Sequence, residues 1–219
     1  MIRVYILVEG QTEEAFVQEL LVPHYASSGL FLTPIIVSTS PGYKGGVVSY
    51  GKAKVQILRL CKQDSDAWVT TMFDLYALPR DFPGQGALEY PTVGSGADKA
   101  SFLEMQLAQD IGQTNFIPNL MVHEFEALLF VSPAAFGEWT ADASAVSAFQ
   151  ACAEKYDSPE DINDSPSTAP SKRILSNMPQ YQKTFHGPLI ACEIGIAPMR
   201  EQCPHFDEWL HKLELLKPR

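Results

Sequence analysis

Residues 5–16, YILVEGQTEEAF, decide how this chain folds. An apolar, strand-like run leads directly into Glu9, and apolar side chains return at helical spacing from Phe16 onward. The pattern predicts a strand, a tight turn and a helix with Thr12 as its N-cap. A single acid at the end of a strand is common as a cap or a solvated residue, so the meaning of Glu9 depends on its neighbours in the fold.

Strand-like and helix-like segments alternate through the first part of the chain. Three further segments have the composition of strands: FLTPIIVST (31–39), AWVTTMFDLY (67–76) and NFIPNLMVH (115–123). Two segments between them have the composition of helices: GKAKVQILRLCKQ (51–63) and DKASFLEMQLAQDIG (98–112). Such alternation is typical of a parallel sheet with crossover helices. We therefore predict an α/β fold with a mostly parallel, four-stranded sheet flanked by helices.

The last part of the chain has a different character. Residues 132–219 contain the helix-like segments DASAVSAFQACAEKY (142–156) and HFDEWLHKLELL (205–216). The polar loop DSPEDINDSPSTAPSKR (157–173) separates them and is typical of a mobile or ligand-ordered connection. The sequence predicts a C-terminal helical extension that packs on the α/β part.

The formal net charge of −10 argues against unaided binding of nucleic acid. Affinity for a polyanion usually depends on clustered Lys and Arg side chains, and this chain has 16 of them against 26 acids. Two things would remove the objection. The acids could hold divalent cations, or a basic partner could supply the surface that binds nucleic acid.

The cysteines and the apolar segments indicate a cellular compartment. Cys61, Cys152, Cys192 and Cys203 form no CxxC pair, so reduced and mostly buried thiols are expected rather than a zinc site or a disulfide framework. The sequence starts without the pattern of a signal peptide, and its apolar stretches fall short of the ~20 residues that cross a bilayer. We expect a cytoplasmic protein without a membrane segment.

Acids recur at the predicted ends of the strands. Glu9 follows the first strand, Asp74 follows the third, and Glu124 and Glu126 follow the fourth. In open parallel sheets, functional groups collect at the carboxyl ends of the strands. Acids crowded there repel one another unless a cation neutralises them, and Mg²⁺ and Mn²⁺ prefer oxygen ligands. The sequence therefore predicts a site for Mg²⁺ or Mn²⁺, on which Glu13 could also converge.

Several of these motifs resemble those of a known fold. ILVEGQTEEAF (6–16) resembles the first motif of the Toprim fold, the metal-binding domain of topoisomerases, primases and OLD-family nucleases. MFDLY (72–76) resembles its second acidic motif, and HEFEALLF (123–130) resembles the third acidic element of OLD-like nucleases. The resemblance implies a Toprim-like, Rossmann-like α/β domain over residues 1–131 and a helical extension over residues 132–219.

A larger ordered set of motifs is similar to one bacterial family. The set consists of VEGQTEEAF (8–16), FDLYALPRDFPG (73–84), HEFEALLF (123–130), PSKRI (170–174) and CPHFDEWL (203–210). Together they resemble the family catalogued as domain of unknown function 4276. The pattern covers nearly the whole chain.

The resemblance assigns metal-binding roles to individual acids. Glu9 takes the place of the invariant acid of the first motif, and Glu13 that of the acid four residues later in OLD-like nucleases. Glu126 matches the acid of the third motif, and Glu124 lies two residues before it.

The second motif departs from the Toprim pattern. Asp74 corresponds to the first Asp of the DxD motif, but Tyr76 replaces the second and cannot ligate Mg²⁺ as a carboxylate does. Asp81 would substitute for it if its loop folds back. A one-metal site and an inactive binding fold are therefore both left open.

The basic candidates have plainer alternatives. Lys172, Arg173 and Lys183 could neutralise charge that develops on a phosphate, or they could be solvated loop residues. His123 could hold the phosphate or a carboxylate, or act as a structural hydrogen-bonding residue. PGYKGG (41–46) could cradle a phosphate through its backbone or form an ordinary turn.

Three functions compete. The leading hypothesis is a nuclease in which Glu9 and Asp74 hold the metal, with Lys172 and Lys183 as further catalytic candidates. The others are a catalytically silent Toprim-like subunit that binds nucleic acid or a partner, and a phosphotransferase or phosphatase for a small phosphate ester. Because related Toprim nucleases often work beside an ATPase against phage or other mobile DNA, the resemblance implies DNA and a separate ATPase as partners. The sequence itself has no Walker motif, and it leaves open whether the chain is a homodimer.

Overall fold

A parallel sheet forms the centre of the protein. The computed structural model describes residues 1–38, 49–163 and 167–218. Within these ranges the sheet has the order β2-β1-β3-β4, β5 also pairs with β3, and all of these pairs are parallel. The strands are β1 (Ile2–Val8), β2 (Leu30–Ile36), β3 (Trp68–Asp74), β4 (Phe116–Ile117) and β5 (Leu120–Met121). The architecture expected of a Toprim-like domain, a mostly parallel sheet flanked by helices, is confirmed.

The predicted fourth strand is interrupted. Residues 115–123 form two strands of two residues each, because Pro118 has no N–H to donate to a strand ladder. Asn119 then bonds to β3 through side chains as well as backbone: the Thr71 hydroxyl donates to the Asn119 carbonyl at 2.7 Å, and the Asn119 amide donates to the Thr71 carbonyl at 3.1 Å. The chain therefore stays beside β3 without a continuous ladder.

The first helix is capped two residues earlier than predicted. The N-cap is Gly10, in an extended conformation, and Thr12 is buried inside the first turn of α1 (Gln11–Phe16). The helix continues through a π-helical turn (Val17–Leu21) into α2 (Val22–Ala26). Because Pro23 cannot donate a backbone hydrogen bond, it favours such a local change of helical register.

The remaining helices cover both faces of the sheet. In chain order they are α3 (Tyr50–Gln63), α4 (Gly96–Ile111), α5 (Ala143–Ala153), α6 (Pro170–Asn177), α7 (Lys183–Ile194), α8 (Ile196–Gln202) and α9 (Pro204–Glu214). Short 3₁₀ helices lie at Leu75–Ala77, Phe125–Val131, Pro133–Glu138 and Pro159–Asp161. The helical character of the C-terminal region is thus confirmed, although α6 begins inside the predicted loop and α7 and α8 were not predicted.

Two further expectations concern membranes and cysteines. In the part of the chain that the structure describes, helices do not reach the length and hydropathy needed to cross a bilayer. The four cysteines all lie in the described ranges and form no disulfide there; Cys192 is exposed and the other three are buried.

The sheet separates two hydrophobic clusters. Even-numbered residues of β1 lie in the larger cluster with α1 and the C-terminal helices, whereas Leu7 faces the smaller cluster with α3 and α4. The alternation follows from the two-residue period of a strand. The Trp209 indole N–H also donates to Thr70 Oγ1 of β3 at 3.0 Å, which fixes α9 against the sheet. Since one cluster joins both parts of the chain, the division at residue 131 stays a prediction.

The start of α9 is satisfied by a distant carboxylate. Its first residue, Pro204, has no N–H, and the next two N–H groups, of His205 and Phe206, donate to the buried Glu160 at 3.0 and 2.9 Å. A carboxylate is favourable there because unpaired N–H groups and the helix dipole both attract negative charge. Glu160 therefore holds the last helix to the 3₁₀ helix at Pro159–Asp161.

Replacing this carboxylate should weaken the fold. Glu160→Ala leaves two buried N–H groups without acceptors, so we expect the free energy of unfolding to fall by about 2 kcal/mol. Urea denaturation followed by circular dichroism measures the loss. Glu208→Ala is the control, since its exposed pair with Lys212 at 3.0 Å contributes little. Equal losses in the two variants would show that the bonds to Glu160 are dispensable.

Candidate functional site

Five buried acids gather at the carboxyl edge of the sheet. Glu9 follows β1, Glu13 lies in the first turn of α1, and Asp74 ends β3. Glu124 and Glu126 flank the start of the 3₁₀ helix that follows β5. Each is at most 7% exposed, and Glu126 is fully buried. Buried carboxylates are unfavourable unless hydrogen bonds or cations compensate them, so their partners decide what this cluster does.

Hydrogen bonds from backbone N–H groups to carboxylates join the three strand ends. Glu9 Oε1 accepts the N–H of Asp74 at 2.8 Å, and Asp74 Oδ1 accepts the N–H of Phe125 at 2.9 Å. Each acid therefore reaches across to the next strand end. Glu124 is held from the C-terminal region instead, because it accepts both the N–H and the hydroxyl of Ser171 at the start of α6. These bonds fix the positions of the carboxylates.

One ammonium lies among three of the acids. Lys183, the first residue of α7, places Nζ 3.1 Å from Glu126 Oε2 and 3.6 Å from both Glu13 Oε1 and Asp74 Oδ2. Its side chain is 38% exposed, whereas its three partners are at most 8% exposed. Lys183 thus closes the cluster from the solvent side, with more carboxylates around it than one charge can neutralise.

The protonation equilibria reflect this imbalance. Burial, followed by the charges of Asp74 and Glu13, holds the pKa of Glu9 well above its usual range. Burial likewise raises the pKa of Glu126 to about 8. For Lys183, burial favours the neutral amine, but the charges of Asp74, Glu126 and Glu13 outweigh burial and raise its pKa. The cluster therefore favours any added positive charge, whether a proton or a cation.

Two polar groups in the cluster lack hydrogen bonds. Among the described residues, neither carboxylate oxygen of Glu126 accepts a well-aligned hydrogen bond, despite the nearby ammonium, and the buried Tyr181 hydroxyl has no partner. Such orphaned groups are rare in proteins and often mark the place of a ligand or an ion. The unbonded oxygens and the all-carboxylate donor set fit a hard divalent cation such as Mg²⁺ or Mn²⁺.

The present geometry is not that of a closed metal site. Across the described ranges, His, Cys, Asp and Glu side chains nowhere form a group of three or more that could hold an ion. The Lys183 ammonium lies among three of the candidate ligands, which accounts for their spacing around it. The residue types therefore fit a cation, and a rearrangement around Lys183 would be needed to bind one.

Two predicted residues have other surroundings. Asp81 accepts the N–H groups of Tyr50 and Gly51 and the hydroxyl of Ser49, at 3.2–3.4 Å, at the start of α3. It therefore acts as a cap for α3, and its substitution for the missing Asp of the second motif stays a prediction. Lys172 is exposed on α6, and its catalytic role also stays a prediction.

His123 has the surroundings of a structural residue. Its backbone adopts a positive φ of 65°, and its carbonyl accepts the N–H of Tyr76 at 2.9 Å. Its Nδ1 lies 3.2 Å from the Asn163 amide, and burial, with a smaller effect of Lys99, lowers its pKa to about 4. A neutral imidazole is expected near pH 7. The PGYKGG segment (41–46) lies outside the described residues.

Sequence reasoning missed two residues of the site. Ser171, which binds Glu124, lies within the PSKRI motif, so the family pattern gave a signal that was not used. Tyr181 belongs to no motif, and only the fold brings its hydroxyl to the cluster. Burial and the charge of Glu126 hold the pKa of this hydroxyl well above its usual range, although the nearby Lys183 acts in the opposite direction.

The unpaired hydroxyl leads to a prediction that has an internal control. Tyr181→Phe removes a buried group without a partner, so the free energy of unfolding should stay unchanged or rise. Tyr25→Phe removes a hydroxyl that donates to Glu214 at 2.8 Å, so it should lower the free energy of unfolding by about 1 kcal/mol. Urea denaturation of the metal-free proteins compares them. Equal losses would mean that an ordered water satisfies Tyr181.

Comparisons with known proteins place the chain in a family. No curated protein matches it significantly. Among solved structures, it is similar to the C-terminal region of the OLD protein of Xanthomonas campestris pv. campestris, at 16% sequence identity and a TM-score of 0.40, over 97% of each chain. The family model described as Domain of unknown function (DUF4276) matches residues 8–214. The protein therefore belongs to the DUF4276 family.

Proposed function

We propose that this protein is a nuclease subunit that hydrolyses phosphodiester bonds with the help of Mg²⁺ or Mn²⁺. The observation that carries the proposal is the cluster of buried acids from three strand ends around the Lys183 ammonium, in which, among the described residues, neither oxygen of Glu126 accepts a well-aligned hydrogen bond. A cluster that only stabilised the fold would pair its charges more completely. The motif resemblance to Toprim nucleases supports the same chemistry.

The acids have distinct tasks in this proposal. Glu9 and Asp74 hold the first cation, and Glu13, Glu124 and Glu126 are available for a second position. A bound divalent cation would activate water and stabilise the charge that develops on the phosphate. The hydrogen bonds from Asp74 N–H to Glu9, and from Phe125 N–H to Asp74, orient the first two carboxylates before any ligand arrives.

The basic residues bind the substrate. Lys183 lies at the solvent side of the cluster, where its ammonium would donate to a non-bridging oxygen of a phosphate. Lys172 is exposed on α6 and would add a weaker attraction for the polyanion. Neither is enough to offset a net charge of −10, so a separate basic ATPase subunit would carry most of the affinity for DNA. Defence against phage or mobile DNA is the setting that the motif resemblance suggests.

A catalytically silent subunit is the second candidate. Two observations favour it: Lys183 already forms ion pairs with three of the acids, and Tyr76 stands where the motif has its second Asp. In that case the cluster would serve only to hold α7 against the sheet. The two candidates make different predictions for a variant that loses one carboxylate charge of the cluster. The nuclease should lose cleavage of DNA, whereas the silent subunit has no cleavage to lose.

Isosteric variants test the nuclease directly. Glu9→Gln and Asp74→Asn keep the oxygens that accept the N–H groups of Asp74 and Phe125, so both variants should fold. Loss of a metal-binding charge typically costs several kcal/mol of transition-state stabilisation, so cleavage should fall about a thousandfold. Mn²⁺-dependent cleavage of plasmid and single-stranded DNA is measured at matched thermal stability.

Glu154→Gln is the control, because this acid is exposed on the surface beyond α5 and should leave cleavage unchanged. Equal cleavage by all four proteins would mean that the nuclease is a contaminant or uses another site. If none of them cleaves with or without a partner, the silent subunit is the better description.

The acidic surface yields a separate prediction. The purified chain should bind duplex DNA only weakly at physiological salt. Such binding gains free energy when Lys and Arg side chains displace counterions from the phosphates, and this chain has few of them for its many acids. Fluorescence anisotropy at several salt concentrations measures this. Addition of a basic ATPase encoded beside it should raise both affinity and cleavage. Tight binding by the chain alone would show that its basic residues form a surface of their own.

A further inference from the structure

Lys183 occupies the position that a cation would need. Its Nζ lies within 3.6 Å of oxygens from α1, β3 and the 3₁₀ helix after β5, and these acids are all buried. The unbonded oxygens of Glu126 and the unpaired Tyr181 hydroxyl show that one ammonium does not satisfy the surrounding groups. The Lys183 ammonium thus serves as the cation of the cluster. A divalent metal ion would bring more positive charge and could bind more of the carboxylate oxygens.

The lysine can leave while the acids cannot. Its side chain is 38% exposed and ends a flexible four-carbon stem, whereas the Glu9 and Asp74 carboxylates are fixed by backbone N–H groups. The start of α7 does not depend on the ammonium, because the Gln182 N–H donates to the His186 ring at 2.8 Å. A positive charge is also disfavoured at a helix N-terminus, so the carboxylates alone hold Lys183 in place.

We infer that Lys183 is a resident counter-ion that gives up its place when a divalent cation binds. The inference rests on the proposed function, because it requires a metal at this cluster. It adds an order of events: the ammonium is committed to Glu13, Asp74 and Glu126 in the metal-free protein, and it becomes available to a substrate phosphate only after the exchange. Substrate binding through Lys183 is thereby coupled to metal binding.

The wild-type protein allows the first test, which needs no variant. Amine acylation followed by mass spectrometry measures the reactivity of each lysine with and without Mn²⁺. Release from its ion pairs should raise the reactivity of Lys183 about tenfold, the change that corresponds to 1.4 kcal/mol. Lys54 and Lys212, which pair with single acids on the surface, serve as internal references and should not change. In Glu9→Gln, Mn²⁺ should no longer expose Lys183.

The second test measures the competition itself. Lys183→Met removes the ammonium, so Mn²⁺ affinity by isothermal titration calorimetry should rise about tenfold. The melting temperature should fall in EDTA and rise more steeply with Mn²⁺ than in the wild type. The control is Lys54→Met. Lys54 has a similar exposure but pairs with Asp110, outside the cluster, so its replacement should change neither the Mn²⁺ affinity nor the response of the melting temperature to Mn²⁺.

The outcomes separate this inference from the proposed function. If Mn²⁺ binds to neither the wild type nor Lys183→Met, the metal site itself is wrong. In another outcome Mn²⁺ binds the wild type and Glu9→Gln weakens that binding, but Mn²⁺ leaves the reactivity of Lys183 unchanged and Lys183→Met binds Mn²⁺ no more tightly than the wild type. The metal site then stands and the exchange is wrong.

Discussion

The burial of five carboxylates at one edge of the sheet is the constraint on which the rest of the structure depends. An unpaired charge in a protein interior is unfavourable by several kcal/mol, so the chain must bring donors to this edge. Two donors come from the strand ends themselves, through the N–H groups of Asp74 and Phe125. The others, Ser171 and Lys183, come from the C-terminal helices. The sheet and the helical region therefore complete one electrostatic unit, whatever their boundary in sequence.

The other buried acids show what full compensation looks like. Glu160 accepts two backbone N–H groups, and Glu104 accepts the N–H of Leu120 and lies 2.8 Å from the His205 ring. Glu126 is as deeply buried, yet among the described residues its compensation is one ion pair, between Oε2 and the Lys183 ammonium at 3.1 Å, and neither oxygen accepts a well-aligned hydrogen bond. This difference within one chain supports the proposal that the cluster binds a cation.

Much of the fold could be predicted because its signals are local. The apolar run that forms β1, the helical spacing of apolar residues after Glu9 and the acids at the strand ends all lie within short stretches of sequence. The break at Pro118 was missed because the apolar composition of residues 115–123 outweighed one residue that cannot join a ladder. Thr12 was assigned as the cap from its residue type, whereas the turn after Glu9 places Gly10 there.

The position of Lys183 could not be predicted because it depends on tertiary packing. Helix α7 contains Gly187 and Pro188, which both lower helix propensity, so the sequence around Lys183 looked like a loop. The fold gives a reason for the glycine: a Cβ at position 187 would lie 3.1 Å from the Phe125 ring and 3.4 Å from Thr12, so a larger residue would require these neighbours to shift by a few tenths of an ångström. One turn earlier in the same helix, this close packing brings the Lys183 ammonium to the acids. The position of the ammonium in this cluster thus depends on how closely a distant helix packs, which no short stretch of sequence specifies.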